Sequence, residues 1–492
     1  MFKKILSDSF VYGTARVLMM AVSMFMVPIY SRHFSRADYG IIETFNMFIN
    51  LVMLILPCGI SQSIFRLVYR INEHADKKVF FSTILNFYLI VGAIFLAISL
   101  SFHAFFTELL IADSHYSKLF IASSIAIVFQ LLNNFNLDIL RSQFQKLKYL
   151  FISVGSIVLL ASGGIYTVLV LKWGVNGFFY AAAFTHVTFF CIGFLINSKW
   201  FNFSFSKQKI VELLRIGLPF IPAGLSLVLM KFLDRIVVQR VMGDSSNSGL
   251  DYLGVYAMAI KVVALFEVVG QAFAGAWFPW AMKIAEEPEA KKTYKELFLK
   301  ILVALCLLTL MFAAVSKVIL HVLVDKKFWD AAPVIFMLLL GSMLNYTNYI
   351  IGVGIYASGK TKFVSLPPLA GGIANLLFCV VLAKFFGLQG VAVSVVLGSG
   401  TYLAVSYYLS EKVYPIHFDI WKGLLLVTCL FLSLLAINKV DQLSPTVTVS
   451  EVLYKAAICA GIFAVVYNLK VFDLKSILLT GKKMLLQKLK RS

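Results

Sequence analysis

The stretch LVLMKFLDRIVVQRVMG, residues 227–243, carries Lys231, Asp234 and Arg235 inside an apolar run that extends from about Ile216 to Gln239. That run is long enough to cross a hydrocarbon core. A charge at the centre of such a helix costs about 2.5–3.5 kcal/mol on insertion scales. Spacings of three and four residues put the three side chains on one helical face. Such a face avoids lipid, so it meets a partner helix or a water-filled cavity.

The rest of the chain has the same character. Of 492 residues, 60% are hydrophobic and 14% are charged, whereas soluble domains carry about 25% charged residues. Apolar segments of membrane-crossing length recur between Ser9 and Leu469. In lipid every backbone polar group must be satisfied within the span, which favours helices. The expected fold is therefore an all-α polytopic membrane protein with about fourteen transmembrane helices. Arg16 interrupts the first apolar segment and no small-residue cleavage site follows, so that segment reads as the first membrane helix. The six cysteines lie in apolar runs without CxxC or metal-ligand spacing, as small apolar residues would.

The charges report orientation. With the N-terminus inside, twenty-nine Lys and Arg fall in segments on the cytoplasmic side and ten, Lys455 among them, on the other. This is the positive-inside pattern, and it puts both termini in the cytoplasm. The net charge of +20 is thus mainly a topology signal, and no nucleic-acid partner is expected.

The chain also repeats itself. Asn134 matches Asn348, Lys146 and Lys148 match Lys360 and Lys362, and Gly40 matches Gly254, all 214 residues apart. WGVNG, with Gly174 and Gly177, matches FGLQG, with Gly387 and Gly390, at 213. One offset over separate landmarks indicates a duplicated unit. The expected organisation is a six-helix lobe over residues 1–204, a second over 205–412, two additional helices over 413–470 and a basic cytoplasmic tail over 471–492. An even number of crossings gives both lobes the same orientation, the parallel kind of repeat found in transporters. The GVNG and GLQG segments read as tight turns, and Pro367-Pro368 is expected to kink the eleventh helix.

The second half also resembles a known family. RIGLPFIPAGLSLVLMKFLDRIVVQRVMG followed by YLGVYAMAIKV is similar to the signature of the polysaccharide transporter, or oligosaccharide flippase, family of the multidrug/oligosaccharidyl-lipid/polysaccharide exporter superfamily. Gly217, Pro219, Asp234, Arg235, Gly254, Tyr256, Ala259 and Lys261 sit at the family positions, and the first half contributes Pro28, SRHFSRADYG, Pro57, Gly59 and Arg66. The resemblance covers about residues 5–412. It implies transport of a polyprenyl-diphosphate-linked oligosaccharide, such as an O-antigen, capsule or exopolysaccharide unit. The transfer would run from the cytoplasmic to the outer leaflet of a bacterial inner membrane by alternating access.

Such a substrate needs a wet path lined by cations and hydrogen-bonding groups, and arginine grips phosphate bidentately. The candidates for the anionic head group are Arg16, Lys231, Arg235 and Lys261. Arg66, near a cytoplasmic helix end, suits substrate or lipid headgroups. Asn134 in QLLNNFNLD and Asn348 in NYTNY are candidate sugar contacts, although intramembrane amides also bind helices together, at about 0.6 kcal/mol each. Asp234 and Glu267 are candidates for coupling to H⁺ or Na⁺, as in an antiporter, with Gln271 one turn from Glu267. The alternative for Asp234 is a packing lock with Lys231 or Arg235.

There is no GxxxxGK[ST] sequence, and no cofactor or metal is expected. Expected partners are the lipid-linked oligosaccharide, membrane lipid and other polysaccharide assembly proteins. A lipid II or multidrug exporter of the same superfamily is the alternative. An enzyme such as a polymerase or ligase would need a large external loop bearing catalytic groups, and the external segments here are short.

Overall fold

The computed structural model describes residues 18, 21–71, 73–202, 204–243, 246–360, 363–443 and 449–468, and every regular element among them is a helix. Residues 21–33 form α1. There follow α2 (Arg36–Ile55), α3 (Ile60–Leu67), α4 (His74–Ser101), α5 (His103–Ile111), α6 (Ser117–Ser142), α7 (Lys146–Ile165) and α8 (Gly174–Asn197). The second half runs through α9 (Lys207–Gly217), α10 (Phe220–Val241), α11 (Ser246–Ile284), α12 (Ala290–Leu323), α13 (Ala332–Ile351), α14 (Val353–Ala357) and α15 (Leu366–Val413). The last two elements are α16 (Ile420–Leu443) and α17 (Val449–Asn468).

Eleven helical stretches among the described residues are long and apolar enough to cross a membrane. One of them, α15, has 48 residues, about 72 Å at 1.5 Å per residue, more than twice a hydrocarbon core. It is not continuous: Gly387 adopts φ 57° and ψ −142° and breaks it into two segments. Counting α15 twice and adding α17 gives thirteen helices among the described residues, and the first of the fourteen that hydropathy suggests lies largely outside them. Gly174, the counterpart of Gly387 at an offset of 213, has φ 56° and opens α8. Both turns use a left-handed backbone that only glycine adopts without strain. The expected kink at Pro367-Pro368 is not found. Ser365 is the N-cap of α15 and the prolines occupy its first turn, where a missing N–H deprives the helix of no hydrogen bond.

The chain forms two compact units. The first comprises residues 1–261, 323–329 and 379–391, and the second 262–322, 330–378 and 392–492. In the first, α3, α4, α6 and α9 enclose Ile60, Ile64, Phe81, Tyr88, Phe135 and Leu213, all fully or almost fully buried. The two most buried crossings are Ser114–Ser142, in the first unit, and Lys326–Ala357, mostly in the second. They are counterparts at the 214-residue offset.

A capping box fixes the start of α2. The Ser35 amide donates to Asp38 Oδ2 at 2.8 Å and the Asp38 amide donates to Ser35 Oγ at 3.1 Å. Two residues later comes Gly40. A Cβ there would overlap the backbone carbonyl of Leu250, and a Cβ at Gly254 would overlap that of Arg36. Leu250 is the counterpart of Arg36, as Gly254 is of Gly40. The contact is therefore reciprocal, like an isologous interface about a two-fold axis. Gly254→Ala is expected to remove most folded protein from the membrane, because backbone atoms on both sides must move. Gly275→Ala, on the same helix with open space around it, should change little. Fluorescence-detected size exclusion compares the two, and equal yields would refute the close-packing role.

Candidate functional site

The charged stretch of α10 is divided among different environments. Asp234 is 4% exposed. Its Oδ2 accepts the Tyr256 hydroxyl of α11 at 2.5 Å, and its Oδ1 accepts the Arg235 amide at 2.9 Å. Arg235 reaches the other way. Its Nη1 lies 2.5 Å from Oε1 of the buried Glu43 on α2, and its guanidinium stacks over Phe232 at 4.4 Å. Lys231 is exposed and has no ion-pair or hydrogen-bond partner among the described residues. Neither Lys231 nor Arg235 forms an ion pair with Asp234: the lock runs from Arg235 to Glu43, and Asp234 is held by a tyrosine. Of these three side chains Lys231 is the exposed one.

Tyr256→Phe leaves one oxygen of the buried Asp234 without its donor and is expected to cost about 1–3 kcal/mol. Tyr252→Phe, on the exposed side of the same helix, should be neutral. Matching melting temperatures for the two variants would contradict the Asp234 bond.

The other candidates are spread out. Arg16 lies outside the described residues. Arg66 is exposed and Lys261 half-buried, and neither has a partner among the described residues. Glu267 accepts from the Ser342 hydroxyl at 3.4 Å, and its backbone carbonyl accepts from Tyr346 at 3.0 Å. It is thus joined to α13, and Gln271 Oε1 beside it is buried without a partner. Asn348 is buried on α13. Asn134, its counterpart on α6, is exposed instead and faces a cavity.

That cavity, of about 520 Å³, lies in the first unit among α6, α7 and α8. Its wall includes Gln130, Asn134, Asp138, Arg141, Tyr149 and His186. Arg141 Nη2 donates to the buried Asp138 Oδ1 at 2.8 Å and its guanidinium covers Phe65 at 4.6 Å. Ser61 and Asn134 also line a smaller adjoining cavity of about 160 Å³ beside Gly59 and Phe220. Intramembrane polar residues commonly face such water-accessible spaces.

Lys317 escaped the sequence reading. In the second unit its Nζ lies 3.1 Å from Glu451 Oε2 and donates to the Asp441 carbonyl at 3.0 Å. Lys455 Nζ lies 2.5 Å from Asp441 Oδ1 and 2.9 Å from Glu451 Oε1. Lys455, placed in an outer segment by the loop tally, is in fact buried in this cluster. Two lysines balance two carboxylates, so the group fastens α12, α16 and α17 together. The sequence signal for it was an acid and a lysine four residues apart on α17.

Comparison with known proteins agrees with this architecture. A Haemophilus influenzae protein described as Lsg locus putative protein 1 is 19% identical over 426 residues, 83% of this chain and 99% of that protein. An uncharacterised membrane protein of Methanocaldococcus jannaschii is 22% identical over 295 residues, 58% of this chain, and the match spans only 56% of that protein's own length. Among solved structures, the lipid II flippase MurJ in an inward closed conformation matches with a TM-score of 0.69 at 16% identity, over 94% of this chain and 99% of that one. An inward-facing multidrug transporter of the MATE family, in the MOP superfamily, gives 0.57 at 16% identity, over 81% and 94%. The protein is therefore a multi-pass membrane protein with a transporter fold. Residues 5–285, more than half of the chain, match the family described as polysaccharide biosynthesis protein, and the chain belongs to that family.

Proposed function

We propose that the protein is a flippase for a polyprenyl-diphosphate-linked oligosaccharide, an O-antigen, capsule or exopolysaccharide unit. It would move its substrate from the cytoplasmic to the outer leaflet of a bacterial inner membrane by alternating access, with both termini in the cytoplasm. The observation that carries this reading is the family match over residues 5–285. Three cations fit it: Lys231, Lys261 and Arg66 form no ion pair among the described residues and can attract a diphosphate as it leaves water. Asp234 and Glu267, buried or half-buried within crossings, are the residues through which an H⁺ or Na⁺ gradient would act, as in an antiporter. Other polysaccharide assembly proteins would receive the product.

Reconstituted full-length protein should accelerate the appearance of a lipid-linked oligosaccharide in the far leaflet, read by a membrane-impermeant lectin. Lys231→Gln should slow this about tenfold, the equivalent of about 1.4 kcal/mol, with unchanged melting. Transfer no faster than in empty liposomes would overturn the proposal. Transfer of lipid II instead would favour the second reading, which rests on the likeness to the MurJ fold along 94% of the chain.

A further inference from the structure

The cavity inside the first unit has a chemistry different from that of these three cations. We infer that it is a saccharide subsite, which takes part of the oligosaccharide head group into the bundle of α6, α7 and α8; this rests on the flippase reading above. At about 520 Å³ it falls within the roughly 300–1,000 Å³ range of small-molecule sites. Its wall presents what sugar hydroxyls require, donors and acceptors side by side: the amides of Gln130 and Asn134, the Asp138–Arg141 pair, the hydroxyl of Ser156 and the imidazole of His186. Two buried polar atoms are left without a partner among the described residues, Asn133 Oδ1 and His186 Nδ1. Both belong to residues that line the cavity, and buried polar groups are normally satisfied. Both atoms are closed to solvent, so a ligand rich in hydroxyls completes them only when the side chains turn toward the cavity.

The charges argue against an anion as the occupant. Arg141 is held by Asp138 at 2.8 Å, so the pair brings no net positive charge to draw a phosphate in. A bare cation finds the same carboxylate already engaged. A polyprenyl chain would strand the amides in hydrocarbon contact. Uncharged, hydroxylated rings meet none of these objections. Asn134 is placed at the mouth, since it lines both this cavity and the adjoining one beside Gly59.

The test is equilibrium dialysis of labelled oligosaccharide, released from the source organism's own lipid-linked pool, against solubilised full-length protein. Transport of the intact lipid-linked form is measured in parallel. Asn134→Ala removes one amide at the mouth, and Ser156→Phe fills the space. Both should weaken binding of the free oligosaccharide by at least about tenfold, the loss of one or two hydrogen bonds. Both should leave binding of bare polyprenyl diphosphate unchanged. If Ser156→Phe does not fold, Asn134→Ala decides, because the exposed Asn134 side chain makes no bond within the described residues. Wild-type affinity in Asn134→Ala, or an equal loss for the bare diphosphate, overturns the subsite. Wild-type protein that binds the oligosaccharide yet fails to transport its lipid-linked form overturns the flippase reading and leaves the subsite standing.

Discussion

Arg235→Ala should lower the stability of the folded protein by about 3–5 kcal/mol, because it leaves Glu43 as an uncompensated buried charge. The two side chains are 12% and 8% exposed and meet at 2.5 Å. Removing both charges together should do far less harm, since a buried pair replaced by a neutral pair is often close to neutral. The double variant Glu43→Gln, Arg235→Gln is therefore expected to recover most of the loss, and Arg235→Lys part of it. Melting of solubilised protein measures these three variants, and the single variants Glu43→Gln and Arg235→Gln complete the cycle that gives the coupling between the two sites. Should Arg235→Ala melt like the wild type while export disappears, the pair is not a lock and Arg235 belongs to the substrate path.

A second large effect is expected from Lys455→Met. This change removes the lysine that meets the Asp441 carboxylate at 2.5 Å and one of the two that meet the Glu451 carboxylate, in the buried part of the second unit. Breaking such a cluster by removing one member costs about 3–5 kcal/mol. Lys422→Met, exposed at the start of α16, changes the charge equally and should cost almost nothing. Indistinguishable melting of the two variants would mean that the cluster contributes no fastening.

Much of the architecture is legible before any coordinates, because membrane crossing imposes length and composition on each helix separately. The offset of 213–214 residues likewise predicts equivalent backbone geometry, and Gly174 and Gly387 share a left-handed conformation. Partner choice is less legible. Helical periodicity puts Lys231, Asp234 and Arg235 on one face, but a face about 100° wide spans several environments, and here one residue is exposed, one buried and one half-buried. Nothing local to Arg235 points to Glu43, which lies on α2, nor does any spacing rule join Asp234 to Tyr256. The prolines at residues 367–368 do not reveal where their helix begins, and in its first turn, where they lie, they are benign. Lys317 was recoverable, since it is one of only five Lys and Arg that the loop tally leaves inside the crossings.

The four-charge cluster also constrains how the chain is made. Lys317 is synthesised 134 residues before Glu451, a delay of roughly 7–27 s at 5–20 residues per second. Through that interval α12 holds a lysine whose carboxylate partner is still unsynthesised or inside the ribosome. Its ammonium must stretch to the headgroup region or be shielded by the insertion machinery. A ribosome stalled before residue 451 would leave Lys317 without the carboxylate that meets it in the finished chain.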